Sequence, residues 1–220
     1  MPMINITLPD GNVNEYAAGI TCAEVITDAL GKKHGCLAAR VDGVDVDLSY
    51  VLDDPCAVEG ILSDSHDGVH ILRHSAAHLL AQAVMALYPG ALPTIGPAIE
   101  RGFYYDFAMD PIAEGDLKKI EKKMHELARK NFTVERVELD ETGLQEHFAD
   151  NPYKLEIIND KLEAGDGSSI YKQGEGYDLC LGPHVPNTSR LMFVLLTSGS
   201  SAYWRADQDL EKVVLNSGLF

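Results

Sequence analysis

Apolar and polar residues alternate along INITLPDGNVNEY, residues 4–16, and Pro9-Asp10-Gly11 interrupts the run. A period of two with a turn in its middle predicts a β-hairpin. Thr21 and Glu24 have capping-box spacing, and Gly31 stands where a helix ending near Leu30 needs its C-terminal cap. CLAARVDGVDVDLSY, residues 36–50, predicts two further short strands around Asp42-Gly43, and AVEGIL, residues 57–62, a last one. Hairpin, helix and then more strands is a β-grasp pattern. It places a small domain at residues 1–62, too small for a roomy active site.

SDSHDG, residues 63–68, reads as a polar linker. From Val69 the period lengthens, and a helix is expected to run to about Tyr88, stopped by Pro89-Gly90. Ile71, Leu72, Ala76, Leu79, Leu80, Ala83, Val84 and Leu87 form one wide apolar stripe. The opposite face carries His74, His78, Ala77, Ala81 and Met85, so both faces are expected to be covered. DLKKIEKKMHELARKN, residues 116–131, predicts an amphipathic helix with Leu117, Ile120, Met124 and Leu127 inward. FTVERVEL (132–139) is strand-like, and Asn151-Pro152 opens a further helix with Asn as cap and Pro at the first position. Strands are expected at SSIYKQ (168–173), GYDLCL (176–181), LMFVLLTS (191–198) and SAYWRAD (201–207). Residues 69–220 thus read as a larger α+β domain.

Composition narrows the class. The chain has 220 residues, 45% hydrophobic and 24% charged, as in ordinary globular proteins. No apolar run reaches the length of a membrane span, and MPMINITLPDG lacks a secretory pattern, so a cytoplasmic protein without a membrane partner is expected. The four cysteines are scattered without a C-x-x-C, which fits reduced thiols. A net charge of −16 argues against a chain that grips many phosphates by itself. If nucleic acid binds, the protein is expected to hold one end or a loop, or to borrow affinity from other domains.

Candidate chemistry sits in two places. His74 and His78, four apart on a helix, share a face. YDLCLGPH, residues 177–184, supplies Cys180 and His184. Three imidazoles and a thiol make a complete tetrahedral zinc set, provided the fold assembles it. The same four groups suit a metal-free pocket that holds a substrate and a water, and they also suit a core thiol beside a turn-capping histidine. No glutamate follows His74, which excludes the metalloprotease helix. Lys154 falls in the first turn of its helix, where the positive end disfavours a second charge. Asp178 and Tyr105 read either as pocket residues or as structural ones.

RHSAAHLLAQAV, IGPAIERGFYYDF, MHELARKN, YDLCLGPHVPNT and SAYWRAD occur in the order found in the N-terminal region of bacterial-type threonyl-tRNA synthetases, which the chain resembles. The opening β-grasp resembles that family's TGS domain. The remainder resembles its editing domain, of the threonyl/alanyl-tRNA synthetase second additional domain type. The resemblance implies hydrolysis of serine wrongly esterified to threonine tRNA, as part of a synthetase or in trans to one. The implied partners are the acceptor end of tRNA(Thr) carrying serine, and the remaining synthetase domains or a full-length synthetase. It implies that His74 and Lys154 activate or position water. His78, Cys180, His184 and Tyr105 would line the pocket, and Asp178 would bind the seryl amino group. In the alanyl relatives the histidines and cysteine hold zinc; the match at Lys154 belongs to the threonyl branch, which implies that no cofactor is required. The resemblance stops short of the ligase catalytic and anticodon-binding domains, so aminoacylation is not expected of these residues, and the tail VVLNSGLF departs from the family's usual continuation. Two rival functions follow: a zinc-dependent aminoacyl-tRNA hydrolase built on His74, His78, Cys180 and His184, and a non-catalytic module that binds a ligand or partner.

Overall fold

A computed structural model describes residues 2–113, 115–163, 169–203 and 211–218. The chain divides into two compact units, Met1–Leu72 with Gly182–Pro186, and Arg73–Leu181 with Asn187–Phe220.

The first unit opens with strands β1 (Met3–Thr7), β2 (Val13–Ala17) and β3 (Ile20–Thr21), then helix α1 (Cys22–Leu30), then β4 (Cys36–Val41), β5 (Val44–Asp47), β6 (Val51–Leu52) and β7 (Cys56–Leu62). The sheet order is β2-β1-β7-β4-β5, with β1 parallel to β7, and β3 pairs with β6 separately. Ile4 and Ile6 alternate inward along β1, as the period of two requires. The predicted capping box is present: Thr21 Oγ1 accepts from Glu24 N at 3.3 Å, and Thr21 N donates to Glu24 Oε2 at 2.9 Å. Cys22, Val25 and Ile26 of α1 join Ile4, Ile6, Cys36, Ala39, Leu52 and Val58 in the core. Burial raises the Cys22 thiol to about 12, so it is an inert packing group. Asp42 and Gly43 both take positive φ, 47° and 86°, which is the backbone a two-residue hairpin turn needs between β4 and β5.

Helix α2 (His66–Leu87) begins three residues before the expected start at Val69, so the second half of the polar SDSHDG stretch is helical. Every residue from Ser75 to Val84 is buried, consistent with a helix apolar nearly all round.

The second unit continues with β8 (Leu92–Pro93), β9 (Ala98–Ile99), β10 (Gly102–Ala108), α3 (Asp116–Arg129), β11 (Val134–Glu138), α4 (Glu141–His147), α5 (Pro152–Glu163), β12 (Ser169–Gln173) and β13 (Gly176–Leu179). A 3-10 turn (Thr188–Leu191), β14 (Leu195–Tyr203) and β15 (Glu211–Gly218) complete it. One sheet runs β14-β15-β10-β8, with β9 also on β10; a second runs β11-β12-β13. Ile120, Met124 and Leu127 of α3 are buried as the stripe predicts, and Leu117 is half-buried.

The expected strand at LMFVLLTS is displaced. Leu191 closes the 3-10 turn, residues 192–194 belong to no element, and one strand, β14, runs from Leu195 through Ser201–Tyr203. Two bonds from α3 hold its start: His125 Nε2 lies 3.1 Å from Val194 O, and Leu196 N donates to Glu121 Oε2 at 3.1 Å. Residues 204–207 of SAYWRAD lie outside the described residues. VVLNSG of the divergent tail lies in β15, whose Cα partners include Tyr105 opposite Leu215. Helix α4, capped by Asp140 Oδ1 accepting from Gly143 N, has no counterpart in the sequence reading.

Candidate active site

Four elements of the second unit supply the site. Helix α2 brings His74 and His78, one turn apart, with ring centroids 5.2 Å apart and planes nearly perpendicular at 88°. Strand β10 brings Tyr105, 1% exposed, whose ring packs on the backbone of Gly96 where any Cβ would collide with it. Helix α5 brings Lys154, and the local sequence explains how. Asn151 caps the helix by accepting from Lys154 N at 3.2 Å, while its Nδ2 donates to Pro93 O at 2.9 Å. The cap therefore fixes both the start of α5 and its position against β8. Strand β13 brings Asp178 on its buried face, in register with Tyr171 of β12. Cys180 follows, with its N donating to Ser169 O at 2.9 Å and its O accepting from Ser169 Oγ.

These side chains form a buried polar network. Lys154 Nζ stands 2.5 Å from Asp178 Oδ1 and donates to Tyr105 Oη at 3.1 Å. Tyr105 Oη donates to Asp178 Oδ2, and Leu179 N donates to Asp178 Oδ1 at 2.8 Å. Lys154 and Asp178 are 3% and 4% exposed, so neither ion has much water to rely on, and each holds the other. The sequence alone weighed only the helix end against Lys154; the fold adds a carboxylate against its amine.

Burial, reinforced by the Asp178 charge, pushes the Tyr105 phenol well above its ordinary range, so it remains a donor. Burial pushes His78 well below its usual value, and the charges of His74 and Lys154 act in the same direction. His78 Nε2 lies 3.8 Å from Asp178 Oδ2, a separation that would count as an ion pair only for a charged ring. The burial argument decides: the ring is neutral at neutral pH, and 3.8 Å is beyond a hydrogen bond. His74 Nε2 lies 3.2 Å from Cys180 Sγ, which joins the α2 wall to the 177–181 wall.

The donor atoms of His74, His78 and Cys180 lie within 4.8 Å of one another. Two nitrogens and a sulfur are ligands that zinc accepts, and three protein ligands with an open position is a catalytic arrangement. Bonds of about 2.0–2.3 Å around tetrahedral zinc set its donors roughly 3.3–3.8 Å apart. The 3.2 Å between Cys180 Sγ and His74 Nε2 lies at the short edge of that range, so this spacing suits a shared metal as well as a direct hydrogen bond. His184 belongs to the first unit, where it is buried and its N donates to Asp47 Oδ1 at 2.9 Å. The second unit by itself therefore brings together six of the seven sequence-expected site residues: His74, His78, Tyr105, Lys154, Asp178 and Cys180.

Two comparisons bear on what such a site belongs to. Residues 4–61 match the TGS domain, and residues 168–203 match the threonyl and alanyl tRNA synthetase second additional domain. The chain has the domain pair of a threonyl-tRNA synthetase N-terminal region. A threonine–tRNA ligase of Alkalilimnicola ehrlichii is 48% identical over 211 residues, 94% of this chain and 33% of the relative. One from Legionella pneumophila is 46% identical over 215 residues, 95% of this chain and 33% of the relative. One from Streptococcus thermophilus is 42% identical over 212 residues, 94% and 32% respectively. The chain spans about one third of the length of these curated relatives. The threonyl-tRNA synthetase match extends over both units, and Asp178 and Cys180 fall inside the second additional domain segment.

Sequence reasoning missed the supports of the site. Gln82, one turn beyond His78, donates to Gln173 O at 3.0 Å and accepts from Gln173 Nε2 at 3.1 Å, tying α2 to β12. A polar residue on a helix face that must be buried was the available signal, because a buried amide has to find partners. Gly96 and Ser169 carried no comparable signal, since their importance lies in what approaches them across the fold. Among the described residues, no helix is long and apolar enough to cross a membrane.

Proposed function

We propose that this chain hydrolyses the ester of serine mischarged on tRNA(Thr), acting as part of, or in trans to, a threonyl-tRNA synthetase. The observation that carries the reading is the buried Lys154–Asp178–Tyr105 network beside His74 and His78. It combines an anion that suits an aminoacyl ammonium with imidazole and amine groups that can handle a water and its proton. The second additional domain match and the threonine–tRNA ligase relatives point to the same substrate class.

The chemical need is simple. Serine differs from threonine by one methyl, and a group of that size is worth only about 1–3 kcal/mol of discrimination in a pocket. A second site that admits serine and excludes threonine supplies the remainder. In this mechanism the terminal adenosine and its seryl ester reach the walls formed by α2 and residues 177–181. Asp178 holds the ammonium. His74 orients or deprotonates a water, directly or through the ribose hydroxyl. Lys154 supports the water or the developing oxyanion. His78, Tyr105 and Cys180 line the pocket. This chain holds the tRNA by its acceptor end, which suits a net charge of −16, with the remaining synthetase domains or a full-length synthetase as the further partner.

The proposed chemistry requires no cofactor. The second reading places zinc on His74, His78 and Cys180; zinc would supply a water ionised near neutral pH. The clustering of three donors within 4.8 Å favours it, and the Lys154–Asp178–Tyr105 network, which offers an amine and an anion beside His74, favours the metal-free site. Deacylation of Ser-tRNA(Thr) against Thr-tRNA(Thr) tests both, using wild type, His74→Ala and Lys154→Ala with and without chelator. Selective loss of serine, abolished by both substitutions and indifferent to chelator, is expected. Activity lost on chelation moves the answer to zinc. No deacylation by wild type leaves a non-catalytic binding module.

A further inference from the structure

Asp178 is almost fully coordinated from within the second unit. Oδ1 accepts from Lys154 Nζ at 2.5 Å and from Leu179 N at 2.8 Å, and Oδ2 accepts from the Tyr105 hydroxyl. A carboxylate offers about four lone-pair positions, so little room is left. The three donors are not equivalent. Leu179 N belongs to the backbone, and Tyr105 is neutral and anchored on β10. Lys154 alone brings a positive charge, on a four-carbon stem that can swing.

An aminoacyl ester brings an ammonium of its own. Two ammonium groups on one buried carboxylate would leave an uncompensated positive charge in an interior that is 3–4% exposed at Lys154 and Asp178. Exchange of one cation for the other keeps Asp178 paired with a single ammonium, and the displaced Lys154 ammonium finds its compensation in the oxyanion that develops at the ester. The Tyr105 oxygen, already 3.1 Å from Lys154 Nζ, gives the displaced amine a pivot.

We propose that Lys154 is the resident counter-ion of Asp178 and that the substrate's α-ammonium replaces it there, so that the lysine amine is released toward the ester only when a free α-amine is bound. The inference rests on the editing reading above and adds a selection rule to it. Esters whose α-amine is acylated, or replaced by hydroxyl, leave Lys154 on Asp178 and are poor substrates even when their side chain fits.

The test compares L-serinamide with its deaminated counterpart, 2,3-dihydroxypropanamide, titrated by NMR into wild type and Lys154→Met. With its competitor removed, Asp178 should bind L-serinamide at least tenfold more tightly in Lys154→Met than in wild type, while deacylation falls. The deaminated amide should bind no more tightly. L-serinamide binding that is unchanged or weaker in the variant, or undetectable in both proteins, overturns the proposal. A residue that only shapes the pocket would not tighten one ligand selectively. Should Lys154→Met not fold, trace acetylation of wild type read by peptide mass spectrometry decides. Lys154 labelling should rise with saturating L-serinamide and not with the deaminated amide, and labelling that does not respond to L-serinamide overturns the exchange. If wild type still deacylates Ser-tRNA(Thr) under those negative results, the hydrolase reading stands and only the exchange is lost.

Discussion

Tyr105 and Asp178, 73 residues apart in the chain, share a hydrogen bond inside the second unit, with Lys154 bonded to both. Tyr105→Phe removes one donor from a buried carboxylate and keeps the ring. A hydrogen bond to a charged group contributes about 1.5–3 kcal/mol, so a loss of stability in that range is expected in urea unfolding. An unchanged midpoint would show that the hydroxyl adds nothing to the fold.

Asp178→Asn leaves the Lys154 ammonium without its anion at 3% exposure. Breaking a buried pair from one side costs about 3–5 kcal/mol, whereas replacing both members costs much less. The double variant Asp178→Asn with Lys154→Met should therefore be more stable than Asp178→Asn alone. A double-mutant cycle in denaturant measures this coupling, and additive losses would contradict a direct ion pair.

Gly96→Ala places a methyl group where the Tyr105 ring lies. The expected outcome is a destabilisation of about 1–3 kcal/mol from overpacking, together with reduced deacylation because Tyr105 is pushed off Asp178. Full activity with unchanged stability would mean that the loop around Gly96 yields freely.

His147 predicts a pH effect away from the site. Burial, and to a lesser degree the charge of Lys172, holds its imidazole below the ordinary value of 6.5, and its Nε2 is buried without a hydrogen-bond partner. Below about pH 6.5 the unfolded chain takes up a proton that the native ring refuses, so stability falls as pH drops. Above that pH both states are neutral and the ring contributes no slope. His147→Phe keeps the ring contacts with Tyr177 and Phe148 and removes the titration. Its stability relative to wild type should therefore improve between about pH 7.5 and about pH 5, and parallel stability curves would refute the assignment.

Most of the first unit could be read from the sequence because its information is local: alternation in β1, the Thr21–Glu24 box and the Asp42-Gly43 turn each lie within a few residues. The histidine face of α2 and the Asn151 cap were legible for the same reason, since both follow from helical spacing. The Lys154–Asp178 pair was not, because no periodicity links α5 to β13 and only tertiary packing sets its 2.5 Å separation. LMFVLLTS misled because an apolar run promises burial without saying which residues pair. There, Glu121 and His125 of α3 settle where β14 begins. Helix α4 was missed because ETGLQEH is short and holds one buried apolar residue, Leu144, too few to show a period.

Strand β15 lies between β14 and β10 and sets Leu215 opposite Tyr105. A ribosome emits β10 long before its inner neighbour exists. At roughly 5–20 residues per second, several seconds pass before residues 211–218 can join the sheet. During that interval the nascent chain can complete the β-grasp unit, whose described strands all precede β10, while the Tyr105 strand waits with one edge unpaired. The order of synthesis therefore makes the proposed hydrolytic centre a late product of translation, and it leaves an open strand edge for chaperones to shield in the meantime.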